Sequence, residues 1–207
     1  MAEKRNAVVL RGLKKYFPGT KALDWGADDA IEIKEGEIHG LVGENGAGKS
    51  TTFQILMGIY DKTDGEMELF GKPYKPRNVH DAEEAGVAII MQQPNFANNL
   101  TVAENIFLGQ DKRFTNKAGL IDWKKQFAAA GEILHRFKYD HIKPTDLLSD
   151  LGFEETKQVE IARALSTNPK VLLVDETSAA ISKSSVENLY QLLREQRDKG
   201  CAIIYIS

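Results

Sequence analysis

Apolar residues along this chain follow two different rhythms. Short runs of strand length recur as AVVL at 7–10, AIEI at 30–33, EIHGLVG at 37–43, EMELF at 66–70, VAIIM at 87–91, VLLVD at 171–175 and AIIYI at 202–206. VLLVD is apolar at every position until Asp175. A strand covered on both faces reads that way, which predicts a parallel central sheet. Asp64-Gly65, just ahead of EMELF, is a turn signal. From about 95 to 169 the rhythm changes. Trp123, Phe127, Ala130, Leu134 and Phe137 follow one another at spacings of 4, 3, 4 and 3, the signature of one helix face, and Val159, Ala162 and Leu165 start it again. The pattern predicts one α/β domain over 1–207, with a core from 1–93 and 170–207 and a helical subdomain, 94–169, inserted between early and late strands.

Composition narrows the class. The chain has 207 residues, 42% of them hydrophobic and 28% charged, with a net charge of −3. That balance suits a soluble surface around a sizeable core and lacks the basic footprint of a nucleic-acid binder. A lone cysteine, Cys201, rules out an internal disulfide and points to a reducing compartment. The start, MAEKRNAVVL, is too short in apolar residues for a secretory signal. No stretch reaches the roughly 18 apolar residues of a membrane span, so any work at a membrane is expected to be peripheral.

The chemistry begins with LVGENGAGKSTT at 41–52, which contains G-x-x-x-x-G-K-S. Gly43, Glu44, Asn45, Gly46, Ala47 and Gly48 form a loop whose backbone N–H groups can turn inward around phosphate oxygens. Lys49 is placed to reach the β and γ phosphates, and the Ser50 hydroxyl to bind Mg²⁺. The helix beginning near Gly48, with Thr51 in its first turn, adds the positive end of its dipole. The second half of the site is expected in VLLVDETSAAIS at 171–182. Asp175, at the carboxyl end of a strand expected beside the loop's own strand, fits a Mg²⁺ ligand through water. Glu176 directly after it fits a carboxylate that orients and activates the attacking water.

These residues resemble the ATP-binding subunits of ABC transporters, and the resemblance runs over essentially the whole chain. It implies an α/β P-loop NTPase core with an inserted helical subdomain and an antiparallel β subdomain from the N-terminal third. YFPGTKAL at 16–23 is similar to the family's adenine-stacking segment, with Phe17 at the aromatic position. IIMQQP at 89–94 looks like the Q-loop, which makes Gln92 a Mg²⁺ and water contact and a link to the helical subdomain. LTVAENIFLG at 100–109 is similar to the branch that energises uptake of simple sugars. Thr177 stands where the family usually has proline. The activity implied is ATP hydrolysis at the cytoplasmic face of a membrane, with ATP and Mg²⁺ as cofactors. The partners implied are a permease, a sugar-binding protein and a second ATP-binding domain, with no nucleic acid. Two rival readings stay open: a soluble, non-transport ATPase of the same superfamily, and a nucleotide-binding module without turnover.

One segment departs from the family. Its leucine-serine-x-glycine-glutamine signature falls on Leu151, Gly152, Phe153, Glu154 and Glu155, and only Leu151 matches. The family uses this segment against ATP held by another domain. Acidic residues at a helix start stabilise that helix by roughly 0.3–1 kcal/mol each. A carboxylate about 5 Å from a doubly charged phosphate is repelled by several kcal/mol at an effective dielectric of about 20. The repulsion exceeds the helix gain, so this segment is expected to be a poor phosphate clamp and the two ATP sites to be unequal. A partner domain of different sequence, possibly in the same polypeptide, follows from that. In the family a histidine comes directly after the last strand. His39, His80, His135 and His141 all precede Asp175, so the chain is expected to be truncated there and weak in hydrolysis by itself.

Overall fold

The computed structural model describes residues 5–44, 46–92, 96–117, 119–175 and 182–206. In chain order the first elements are β1 (Asn6–Phe17), β2 (Thr20–Asp24), β3 (Ala30–Lys34), β4 (Ile38–Leu41), α1 (Lys49–Leu56), β5 (Asp64–Leu69), β6 (Lys72–Pro73), α2 (Val79–Glu84) and β7 (Val87–Ile90). There follow α3 (Val102–Ile106), α4 (Trp123–Arg136), α5 (Phe153–Ser166), β8 (Val171–Asp175), α6 (Lys183–Asp198) and β9 (Ala202–Ile206). They form two compact units. One comprises Met1–Met91, Pro169–Ala179 and Lys183–Ser207, and the other Gln92–Asn168 with Ala180–Ser182.

The first unit holds two sheets. β1 organises an antiparallel one, pairing with β3 along its first half, β2 along its last and β5 on its other edge. This is the antiparallel β part expected of the N-terminal third. Gly65 opens β5 with φ +91°, and a Cβ there would stand 2.4 Å from the Gly12 carbonyl oxygen. Only glycine allows β1 and β5 to approach so closely. The second sheet is fully parallel, in the order β4-β9-β8-β7. Val171, Leu172, Leu173 and Val174 are all completely buried, which is why β8 carries no polar residue before Asp175. Phe53, Ile55 and Leu56 of α1 join Val8, Leu10, Ile33, Leu173 and Ile204 in one hydrophobic core.

The second unit is helical, with α3, α4 and α5 packed on one another. Val159, Ala162 and Leu165 are buried as their spacing predicts. The α4 stripe is shifted: Ala130, Leu134 and Phe137 are buried, but Trp123 is 45% exposed and Gln126 is buried instead. The reason is geometric. Gln126, Ala130 and Leu134 stand four residues apart on one line, while the rings of Trp123 and Phe127 lie tilted against each other with centroids 6.3 Å apart. LTVAEN also has a structural explanation. The Thr101 hydroxyl and the Glu104 carboxylate cap α3 reciprocally. Asn105, fully buried, accepts from the Ala97 N–H and donates to the carbonyls of Ala97 and Thr101, stapling the loop ahead of the helix.

Candidate functional site

The loop after β4 has the backbone that its glycines predict. Gly46 and Gly48 both lie at positive φ, +87° and +85°. At Gly48 a Cβ would also meet the Ala22 carbonyl oxygen at 2.6 Å and Leu23 Cδ1 at 2.7 Å, so the turn into α1 is pressed against β2 and only glycine fits. α1 begins at Lys49 with no acidic residue in its first turn, which leaves its positive end unopposed. The Thr52 hydroxyl and backbone N–H both donate to the Gly48 carbonyl, at 3.0 and 2.9 Å, and lock the turn. Lys49 folds back over the loop. Its ammonium donates to the Gly43 carbonyl and, at 3.2 Å, to that of Glu44. Gly43, Glu44, Gly46, Ala47 and Ser50 are solvent-exposed. Asn45 lies outside the described residues.

Asp175 ends β8, half-buried. The expectation that its strand lies beside that of the loop is corrected here, because β9 runs between them. Leu41 and Asp175 both pair with Ile206, one from each side, so the two strands end level and about two strand spacings apart, roughly 10 Å. The physical cause is the order of crossovers: β9, last in sequence, inserts between earlier strands, which no local pattern announces. Asp175 and the start of the loop that leads to Ser50 thus stand at the same end of the parallel sheet, on opposite sides of β9. A hydroxyl and one carboxylate form the sparse oxygen set that Mg²⁺ uses when phosphates and water complete its shell. Among the described residues there is no cluster of three or more His, Cys, Asp or Glu side chains, and the donor set suits a metal–nucleotide complex rather than an all-protein cage. Glu176 and Thr177 lie outside the described residues.

Phe17 is half-buried at the tip of the β1–β2 hairpin, and that hairpin is the one touching Gly48. Gln92 opens the helical unit, and its carbonyl lies 3.5 Å from the Lys157 ammonium of α5.

Residues 27–179 match the family model described as ABC transporter. The chain belongs to the ABC transporter family. Over all 207 residues it is 40% identical to the fructose import ATP-binding protein FruK of Bifidobacterium longum (strain NCC 2705), and it spans 39% of that protein's length. Two solved ATP-binding cassettes of ABC transporters, one in an ADP conformation and one nucleotide-free, superpose with TM-scores of 0.79 and 0.81 at 25% identity. Each match covers 98% of this chain and 81% of the cassette. The fold is therefore that of an ABC-type P-loop ATPase.

In this ABC transporter chain the departed signature segment is fully described. α5 begins at Phe153, so Glu154 and Glu155 lie inside its first turn. Glu155 Oε2 accepts the Gly152 backbone N–H at 2.8 Å, one half of a capping box. Glu154 Oε1 accepts from the Ser182 hydroxyl at 2.7 Å. Both carboxylates therefore point at groups of this chain, Glu155 at the backbone N–H just ahead of the helix and Glu154 at the Ser182 hydroxyl. Among the described residues no helix is long and apolar enough to cross a membrane.

Proposed function

We propose that this chain binds MgATP on the 43–51 loop and hydrolyses it to drive a membrane permease that imports a simple sugar. The observation that carries the reading is the level alignment of Leu41 and Asp175 across Ile206, with the glycine-shaped loop and Lys49 following directly from β4. In this reading Lys49 offsets phosphate charge and Ser50 and Asp175 hold Mg²⁺. Gln92 contacts the metal and water, Glu176 takes the proton of the attacking water, and Phe17 stacks on the base. Bound Mg²⁺ would neutralise part of the triphosphate's negative charge. Sugar as the cargo is supported by the fructose-import name of the Bifidobacterium relative and by the LTVAENIFLG segment. The whole protein would then sit peripherally on the cytoplasmic face of the membrane. Its partners would be the permease, a sugar-binding protein and a second ATP-binding domain. Titration calorimetry tests the nucleotide site: Lys49→Ala should weaken MgATP binding about ten- to a hundredfold, the loss of a charge-assisted contact. Unchanged affinity refutes it.

The finer reading is that the two ATP sites are unequal, and it is supported by the Glu155 carboxylate on the Gly152 N–H. An internal anion on that donor competes with an external one, and both cannot use it. Replacing 152–155 by Ser, Phe, Gly and Gln in the complete transporter should raise ATP turnover. Equal turnover in the parent and the variant contradicts the reading.

A further inference from the structure

We propose that Tyr60 and Lys15 complete the base-binding end of the nucleotide site by holding the Phe17 ring in the plane on which a nucleobase stacks. The inference rests on the base-stacking reading of Phe17. Phe17 ends β1, and the chain returns through Pro18 and Gly19, the latter at φ +78°. A half-buried phenylalanine at a hairpin tip has little to fix its ring. Here the segment after α1 supplies what the hairpin lacks. Thr63 N–H donates to the Lys14 carbonyl at 2.7 Å, and the Thr63 hydroxyl accepts from Tyr16 N–H at 3.0 Å. The Lys15 ammonium donates to the Asp61 carbonyl at 2.7 Å. This lacing sets Tyr60 edge-on to Phe17, with ring centroids 5.1 Å apart and planes at 78°. The Lys15 ammonium stands over both rings, 4.8 Å from the Phe17 centroid and 5.5 Å from that of Tyr60.

Each contact is of an attractive kind: an edge-to-face aromatic pair, and a cation over the negative face of a ring. Together they order Phe17 before a ligand arrives, so binding no longer bears the cost of immobilising it. The cation lies over one face of Phe17, which leaves a base the opposite face. Stacking of this kind favours any extended π system and tolerates differences between bases. The ligand it fits is a nucleoside triphosphate whose base is held by its flat face and whose phosphates reach the loop fastened to the same hairpin at Ala22 and Gly48. Tyr60 and Lys15 are positioning residues here, acting through Phe17.

The test compares a ligand with a base and one without, by calorimetry on the complete protein. MgATP and magnesium tripolyphosphate are titrated into the parent, Phe17→Ala, Tyr60→Leu, Lys15→Met and the double variant Phe17→Ala/Tyr60→Leu. Phe17→Ala should weaken MgATP about five- to a hundredfold, the size of one base–aromatic stack. Tyr60→Leu and Lys15→Met should each weaken it about two- to tenfold, the cost of immobilising one side chain. Tripolyphosphate affinity should not change in any of them. Tyr60→Leu should add nothing once Phe17 is Ala. A loss for Phe17→Ala with none for Tyr60→Leu overturns the positioning role alone. So does an equal loss for tripolyphosphate, which would mean a damaged phosphate loop. No loss for Phe17→Ala overturns the stacking reading, and this inference with it.

Discussion

Removing the cation from the buried ion pair of α5 should cost the helical unit a large part of its stability. Lys157 and Glu160 stand one turn apart, with Nζ and Oε2 at 2.8 Å and side chains only 2% and 8% exposed. At that separation and an effective dielectric of about 20, the gross attraction is about 6 kcal/mol. Desolvation of both ions cancels much of it, so the pair as a whole is worth little against well-packed apolar side chains. Deleting one partner is another matter. Lys157→Met leaves a buried carboxylate deprived of that cation, and the expected loss is about 3–5 kcal/mol. The unit contains 80 residues, for which a total stability of about 4–12 kcal/mol is ordinary. The single variant should therefore lose a large part of that stability, and the double variant Lys157→Met/Glu160→Leu should recover to within about 1 kcal/mol of the parent. The two tryptophans, Trp25 and Trp123, lie one in each unit, so a Trp25→Phe background makes fluorescence report the helical unit. Urea unfolding of parent, single and double variants completes the measurement. A single-variant loss below about 1 kcal/mol would refute the reasoning. So would a double variant no more stable than the single one.

Two further outcomes follow from the first unit. Gly48→Ala should lower the thermal midpoint and the affinity for MgATP together. An alanine at φ +85° costs about 1–3 kcal/mol by itself, and its Cβ would sit 2.6 Å from the Ala22 carbonyl oxygen. A parent-like midpoint by calorimetric scan would contradict this. The alkaline limb of stability should depend on Cys201, whose thiol is pushed up to about 12 by burial. The thiol ionises near 8.5 in the unfolded chain. Its neutral form thus stabilises the fold fully below about pH 8.5, and that contribution fades as pH rises toward about 12. By pH 10 about 2 kcal/mol should be gone. Burial pushes the Tyr74 hydroxyl, which donates to the Leu56 carbonyl at 2.7 Å, in the same direction. Cys201→Ala should therefore show a shallower fall in urea midpoint between pH 8 and 10 than the parent. Parallel falls would show that the thiol contributes nothing there.

The acidic signature segment illustrates how a local substitution becomes an electrostatic statement. Charge counting alone opposes a second phosphate at this helix start. The geometry adds where each charge goes, with Glu155 on the backbone donor and Glu154 on the Ser182 hydroxyl. A helix start that caps itself is stable without any ligand, which separates the stability of α5 from its use against nucleotide.

What the sequence determined by itself is whatever depends on neighbours along the chain. The glycine spacing of 43–48 prescribes a backbone that only glycine adopts at Gly46 and Gly48. The unbroken apolar run of VLLVD requires a strand covered on both faces, and the periodicity of 159–165 requires a buried helix face. The tertiary structure alone decided what depends on distant segments. It set β9 between β4 and β8, so that Leu41, which leads into the phosphate-type loop, and Asp175 end level on either side of an intervening strand. It buried Gln126 while leaving Trp123 half in solvent. It also brought Tyr60 to Phe17 from the segment after α1, which carries no periodic signal. The reason is that propensity and periodicity act over a few residues, whereas strand order and side-chain contact are fixed by packing many surfaces at once, and that information is spread over the whole chain.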